Sequence, residues 1–372
     1  MTNFIEIYFQ NLHYISILNL FMLFISSLIL CLLIILFSPE NFLKKRSNSD
    51  LTAVQRAHLK PVPRIGGSAL FLGMFLIFPM AGALNLDASG LWRFIVSLIP
   101  IFLIGTAEDL GFYMSPLRRL IAICLASVLM IAFYGCWVPS VGIPYVNALI
   151  SFAPFGIVFT VFAAAGVVNS FNLIDGLNGL AAFTAISVSI SLSIVAAQAN
   201  HPDLSILCLA VVPIAAGFFV LNFPFGKIFL GDGGAYLLGH TLVWASICLM
   251  DFDQSISPFA ILLIFFWPVA DTFLAIWRRK TLGKPRHKPD RLHFHQLIMR
   301  FLEIRRFGRS RRAITNPLAT VLIMPLIVTP QILGIIFAKN GPMATISLVA
   351  MGIIFIATYL AGISIAKKRS VN

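Results

Sequence analysis

Apolar residues run in long blocks along this chain, and polar residues gather between them. The blocks fall at roughly 14–37, 66–85, 91–107, 118–138, 149–168, 179–198, 205–222, 234–250, 257–277, 317–338 and 343–365. A helix needs about 20 mostly apolar residues to cross a bilayer's hydrocarbon core. The pattern therefore predicts an all-α polytopic membrane protein with about eleven transmembrane helices. The whole chain, 1–372, reads as a single integral membrane domain. The first block has no basic residue before it and is too long for a signal-peptide core, so it is expected to be a retained span.

Composition fits the same class. Hydrophobic residues make up 59% of the 372, charged residues only 11%, and mean hydropathy is +0.93. The net charge of +13 comes from 27 Lys and Arg against 14 Asp and Glu. With the N-terminus outside and the C-terminus cytoplasmic, 25 of the 27 basic residues fall in or beside inside loops, and only Arg93 and Lys339 lie outside. This is the asymmetry that sets membrane orientation, and it explains the high charge without nucleic acid. Segment 278–316 is the longest basic loop, and its stretch from Leu297 to Arg306 reads as an interfacial amphipathic helix. The five cysteines lie in or beside apolar blocks without metal-ligand spacing, which argues for core residues.

Five polar clusters occupy the inside loops. The first is His58-Leu-Lys60-Pro-Val-Pro-Arg64-Ile-Gly66-Gly67. The second is Glu108-Asp109, followed by Ser115-Pro116-Leu-Arg118-Arg119. Adjacent carboxylates at a span's end repel each other unless a cation or basic partner balances them. The third is Asn169-Ser-Phe-Asn172-Leu-Ile-Asp175-Gly176-Leu-Asn178-Gly179, in which Asn169, Asn172 and Asp175 repeat every three residues. The fourth is Asn222-Phe-Pro-Phe-Gly-Lys227-Ile-Phe229-Leu-Gly231-Asp232-Gly233-Gly234, where glycines on both sides of Asp232 let backbone and metal approach. The fifth is Pro289-Asp290-Arg291-Leu-His293-Phe-His295-Gln296. Its histidines suit metal ligation, phosphate contact or proton transfer. Asp271, inside the ninth block, is expected to be paired or near the cytoplasmic mouth.

In this order the clusters resemble the polyprenyl-phosphate N-acetylhexosamine-1-phosphate transferases, from about His58 to Gln296. The resemblance implies transfer of a sugar phosphate from a UDP-N-acetylhexosamine to undecaprenyl phosphate at the cytoplasmic side of a bacterial inner membrane. Mg²⁺ is the implied cofactor, with Mn²⁺ as a substitute, and a homodimer is among the implied assemblies. Glu108-Asp109 stands where the family has paired Asp, and Asp109 would sit near the polyprenyl phosphate. Asn172 and Asp175 would lie at the catalytic centre. Asp232 would be the main Mg²⁺ ligand, with Asn172 a second candidate. Phe229 would stack on uracil, Asn222 would help hold substrate, and His293 and His295 would face the diphosphate. Lys60, Arg118 and Arg119 are candidates for the lipid phosphate, and Asn178, Asp290 and Arg291 complete the substrate-binding set. The family more often has Asp at 178 and His at 296. The opening cluster is closer to the branch that initiates O-antigen or related surface glycans than to the muramoyl-pentapeptide branch of peptidoglycan synthesis. Secondary transport is the rival class, against which the one-sided polar clusters and the lack of visible inverted repeats both count.

Overall fold

The computed structural model describes residues 17–38, 62–281 and 293–368. It is a bundle of helices, with no strand among the described residues. In chain order these are α1 (Ile17–Phe37), α2 (Gly66–Phe75), α3 (Ala88–Asp109), α4 (Pro116–Tyr134), α5 (Pro144–Ile150), α6 (Ala153–Ile174) and α7 (Leu180–Gln198). They continue as α8 (Pro202–Asn222), α9 (Gly231–Phe252), α10 (Pro258–Ile264), α11 (Phe266–Thr281), α12 (Phe294–Leu302), α13 (Arg312–Ile336) and α14 (Gly341–Lys368).

Among the described residues, nine helices are long and apolar enough to cross a membrane, or ten if α10 and α11 form one span bent by 85°. The chain is thus a multi-pass membrane protein, as the apolar blocks predict. The second block, 66–85, differs from expectation. Its helix α2 is only ten residues long. Beyond it, Ile77, Phe78, Met80 and Ala81 donate to carbonyls three residues back. Pro79 has no N–H to continue a four-residue repeat, so the chain tightens into turns there.

Local signals set the helix ends. Asp87 caps α3 by accepting from Ser89 N at 3.0 Å and Gly90 N at 2.8 Å. Ser115 caps α4, with Pro116 in the first turn, where a missing N–H costs nothing. Gly135 ends α4 in the left-handed region at φ 68°.

Helix α9 is the axis of the bundle, packed by α2, α3, α6 and α7. Most of its residues are buried, whereas most of those in α1 are not. At its N-terminal end the packing is backbone on backbone. A Cβ on Gly67 of α2 or Gly105 of α3 would overlap the Gly233–Gly234 backbone. Small residues permit such close approach, and within a bilayer that packing replaces the hydrophobic driving force. At the same end, Phe229 N donates to Pro63 O at 2.8 Å, and Gly66 N and Gly67 N donate to Phe229 O and Leu230 O at 3.0 and 2.9 Å. The first and fourth polar clusters are joined by this short ladder.

Candidate active site

The start of α9 builds the site. Gly231 takes φ +75°, a conformation that disfavours any side chain, and turns the chain into the helix. The helix's own N-cap, Leu230, offers no capping side chain. The cap arrives from α3 instead. Asp109 Oδ1 accepts from Asp232 N at 3.0 Å, and Oδ2 accepts from Gly233 N at 2.9 Å. A carboxylate at a helix N-terminus satisfies orphan donors and complements the helix dipole. Asp109 is only 2% exposed, so this cap is sealed from water. Asp109→Asn keeps the shape but turns an N–H₂ toward a backbone donor. We expect it to destabilise the fold by about 1–3 kcal/mol, read by thermal unfolding in detergent.

Asp232 is held beside this cap but left more open. Arg119 Nη1, from the start of α4, stands 3.3 Å from Asp232 Oδ2 and 3.4 Å from Glu108 Oε1. One guanidinium therefore bridges the second and fourth clusters. Tyr236, one turn along α9, lies beside the same arginine.

Asp175 stands at the end of α6, beside the backbone of Gly231. Burial pushes its carboxyl up to about 7, Arg64 opposes the rise, and the neighbouring charge of Asp232 adds to it. Arg64 thus acts on this carboxylate across the first cluster. Acidic side chains, Glu108, Asp109, Asp175 and Asp232, outnumber the basic Arg64 and Arg119 at this centre. Its donors are all oxygen, the set that suits a hard ion such as Mg²⁺, which keeps waters and takes one or two carboxylates.

Other expected site residues have distinct positions. Asn172 is half-buried one turn before Asp175 and passes its carbonyl to Asp175 N at 3.3 Å. Asn178 and Asn222 are buried, and their side chains are engaged with backbone. Asn178 Nδ2 donates to Pro224 O at 2.9 Å, and Asn316 Oδ1 accepts from Asn178 N at 2.7 Å. Asn222 Oδ1 accepts from Gly179 N at 2.6 Å while its Nδ2 donates to Ile228 O at 2.7 Å. These amides tie the third cluster to the fourth and to α13. Phe229 is half-buried beside the ladder, and Arg118 is exposed at the start of α4. Lys60, Asp290 and Arg291 lie outside the described residues, as does His58.

The histidines join the same end of the bundle. A Cβ on Gly176, next to Asp175, would come within 2.5 Å of His295 Nε2. The Asp-Gly turn and the histidine motif are thus in contact. Both histidines pack on Asp271, with each Nδ1 3.2 Å from its Oδ2. Among the described residues, Asp271, His293 and His295 form the group of three whose ligand-type atoms lie within 4.8 Å of one another. His293 is the N-cap of helix α12, and His295 lies in its first turn. The helix also buries Phe294, Met299 and Leu302, while Ile304, Arg305 and Arg306 beyond it are exposed. Phe294 stacks on Phe355 of α14 at 4.9 Å, so this part of the apolar face is taken by protein.

Arg64 and Tyr236 carry no role in the sequence reading, and Asp271, expected to be paired or near the cytoplasmic mouth, is paired with both histidines. Arg64 lay in a cluster already singled out, and its two neighbouring glycines were the available signal. Nothing near Asp271 in sequence announces its partners.

Residues 91–250 match the family model described as glycosyl transferase family 4. That segment holds Glu108, Asp109, Asn172, Asp175 and Asp232. The chain is 28% identical over 262 residues to an undecaprenyl-phosphate alpha-N-acetylglucosaminyl 1-phosphate transferase of Yersinia pestis, covering 68% of this chain and 69% of the relative. It is 29% identical over 261 residues to a probable undecaprenyl-phosphate N-acetylglucosaminyl 1-phosphate transferase of Bacillus subtilis (strain 168), with 68% and 70% covered. It is 26% identical over 282 residues to the Escherichia coli (strain K12) alpha-N-acetylglucosaminyl 1-phosphate transferase, with 74% and 75% covered.

Proposed function

We propose, from the premise that this chain is a membrane phosphotransferase of the glycosyl transferase family 4 type, that it moves N-acetylhexosamine 1-phosphate from a UDP-sugar to undecaprenyl phosphate with Mg²⁺. The observation that carries this reading is the meeting of Asp109, Asp175, Asp232 and Arg119 at the N-terminus of α9, at the end of a membrane bundle. Only such a place brings a lipid phosphate and a soluble nucleotide to the same depth. The basic inside loops support a cytoplasmic site and an inner-membrane setting. The relatives' names support the glycan-initiating branch over the muramoyl-pentapeptide branch.

In the reaction an oxygen of the lipid phosphate attacks the phosphorus attached to the sugar. A new P–O bond forms, the P–O bond to UMP breaks, and UMP leaves with the bridging oxygen. Asp232, with Asn172 as a second candidate, would hold the Mg²⁺, which would supply neutralisation of the diphosphate and of the charge growing on UMP. Arg119 and Arg64 add fixed positive charge, and a guanidinium matches phosphate geometry. The lipid phosphate needs little help to ionise, because its second pKa is about 6. Asp175, raised to about 7, is matched to take the remaining proton. Both oxygens of Asp109 are already engaged by backbone N–H groups, which supports direct attack over a covalent aspartyl-phosphate.

The sign of the pH effect follows from Asp175. A carboxyl raised to about 7 is protonated below that pH and anionic above it. At subsaturating Mg²⁺, apparent metal affinity is therefore expected to weaken as pH falls through about 7. Asp175→Asn is expected to weaken that dependence and to remove most of the rate. Mg²⁺ titrations of UMP release at several pH values check this.

The reading itself is tested with purified protein, undecaprenyl phosphate and a panel of UDP-sugars that includes the muramoyl pentapeptide donor. Release of UMP that requires both lipid and Mg²⁺ supports it and names the sugar. A folded protein that releases no UMP from any donor, yet accumulates a solute in sealed vesicles, returns the chain to the transporter class.

A further inference from the structure

We infer that Asp271 is a positioning residue for the transfer reaction, fixing the protonation and orientation of His293 and His295 against the carboxylate centre. This rests on the transferase reading above and adds to it a residue outside the polar loops.

Asp271 lies in α11, the second half of the bent span, with 1% of its side chain exposed. A carboxylate withdrawn from water needs hydrogen-bond donors around it. Phe294 N donates to Oδ1 at 2.8 Å. On the other oxygen, His293 Nδ1 and His295 Nδ1 each stand at 3.2 Å. An ionised carboxylate only accepts, so each ring nitrogen facing it must carry the proton. That requirement places the opposite nitrogen, Nε2, on the side of each ring turned away from Asp271. His295 is fully buried, its Nε2 has no hydrogen-bond partner, and it points at Gly176 beside Asp175. A buried polar nitrogen without a partner is costly, and here it is held at the edge of the proposed reaction centre. The rings lie 5.5 Å apart and 23° from parallel, so one carboxylate sets two imidazoles as a unit.

The same three side chains have spacing that could suit a zinc ion. The two accounts demand opposite protonation. Hydrogen bonding needs Nδ1–H on both rings, whereas ligation through Nδ1 needs it bare.

Nitrogen-15 NMR of histidine-labelled protein separates them, with His293→Gln and His295→Gln spectra for assignment. The full-length wild type is expected to show protonated Nδ1 on both rings and no stoichiometric zinc by elemental analysis. Asp271→Asn is expected to shift at least one ring toward Nε2–H. Its kcat for UMP release should fall about 10²–10⁴-fold, with KM for the UDP-sugar changed far less. Bare Nδ1 with bound zinc in the wild type overturns the inference. So does a folded Asp271→Asn with unaltered ring protonation, or with altered protonation and an unchanged kcat. If that variant does not fold, the wild-type spectrum decides alone. If no UDP-sugar is consumed by the wild type, the transferase reading fails while the spectra still decide what Asp271 does to the rings.

Discussion

Asp232→Ala is expected to lower UMP release at least about 10³-fold while leaving the purified protein as thermally stable as the parent. The two halves of that expectation come from different features. Asp232 is more open than the capping Asp109, with 16% of its side chain exposed, and its side-chain partner is the partly exposed Arg119. Truncating it empties no core. It also removes an anion that raises the carboxyl of Asp175, so the unliganded fold loses a repulsion. The activity loss has the size expected when the main electrostatic support of a phosphoryl transfer is deleted. Thermal unfolding and UMP release on the same preparation check both. A variant that unfolds makes Asp232 structural, and one that stays active removes it from the metal site.

Gly231→Ala is expected to do the reverse, damaging the fold and the site together. The residue sits at φ +75°, where a side chain costs roughly 1–2 kcal/mol before any contact is counted. Its new Cβ would also overlap the Arg64 carbonyl oxygen and Asp109 Oδ2. Relief requires moving either the 63–67 segment or the carboxylate that caps α9, so the cap and its neighbour Asp232 shift together. We expect a lowered unfolding temperature and a loss of UMP release of at least about 10²-fold, since displacements near 1 Å cost that much. Gly166→Ala is the matched control. Gly166 lies within α6, with open space where a Cβ would go. Ala there should be neutral or stabilising by up to about 1 kcal/mol.

These cases show what the sequence could and could not reveal. Apolar blocks are local, so the helices that house the site were legible from length and hydropathy alone. The 66–85 block misled because it was counted by apolarity, while Pro79 decided how its backbone closed. The glycines around Asp232 signalled close approach correctly, but not that Asp109, 123 residues away, would supply the helix cap. Asn178 and Asn222 show the opposite limit. Both were expected at the substrate, and nothing in the sequence signalled that their amides also bind backbone groups of neighbouring loops. Asp271 shows a third. It is a lone acid in an apolar run, and its partners lie 22 and 24 residues on, beyond a basic stretch.

The enclosure of α9 has a bearing on how such a chain enters the membrane. This helix is the least apolar of the nine long ones and the most buried. It carries Asp232, His240 and a run of glycines at its start, features that lipid tolerates poorly. Helix α1 is the opposite, strongly apolar and mostly facing outward. During synthesis α1 can partition into lipid unaided, whereas α9 gains from waiting for α3 and α6, already made, to receive it. The helix that organises the chemistry is thus a client of its neighbours at birth, and weakening their small-residue contacts should show first as failed insertion of α9.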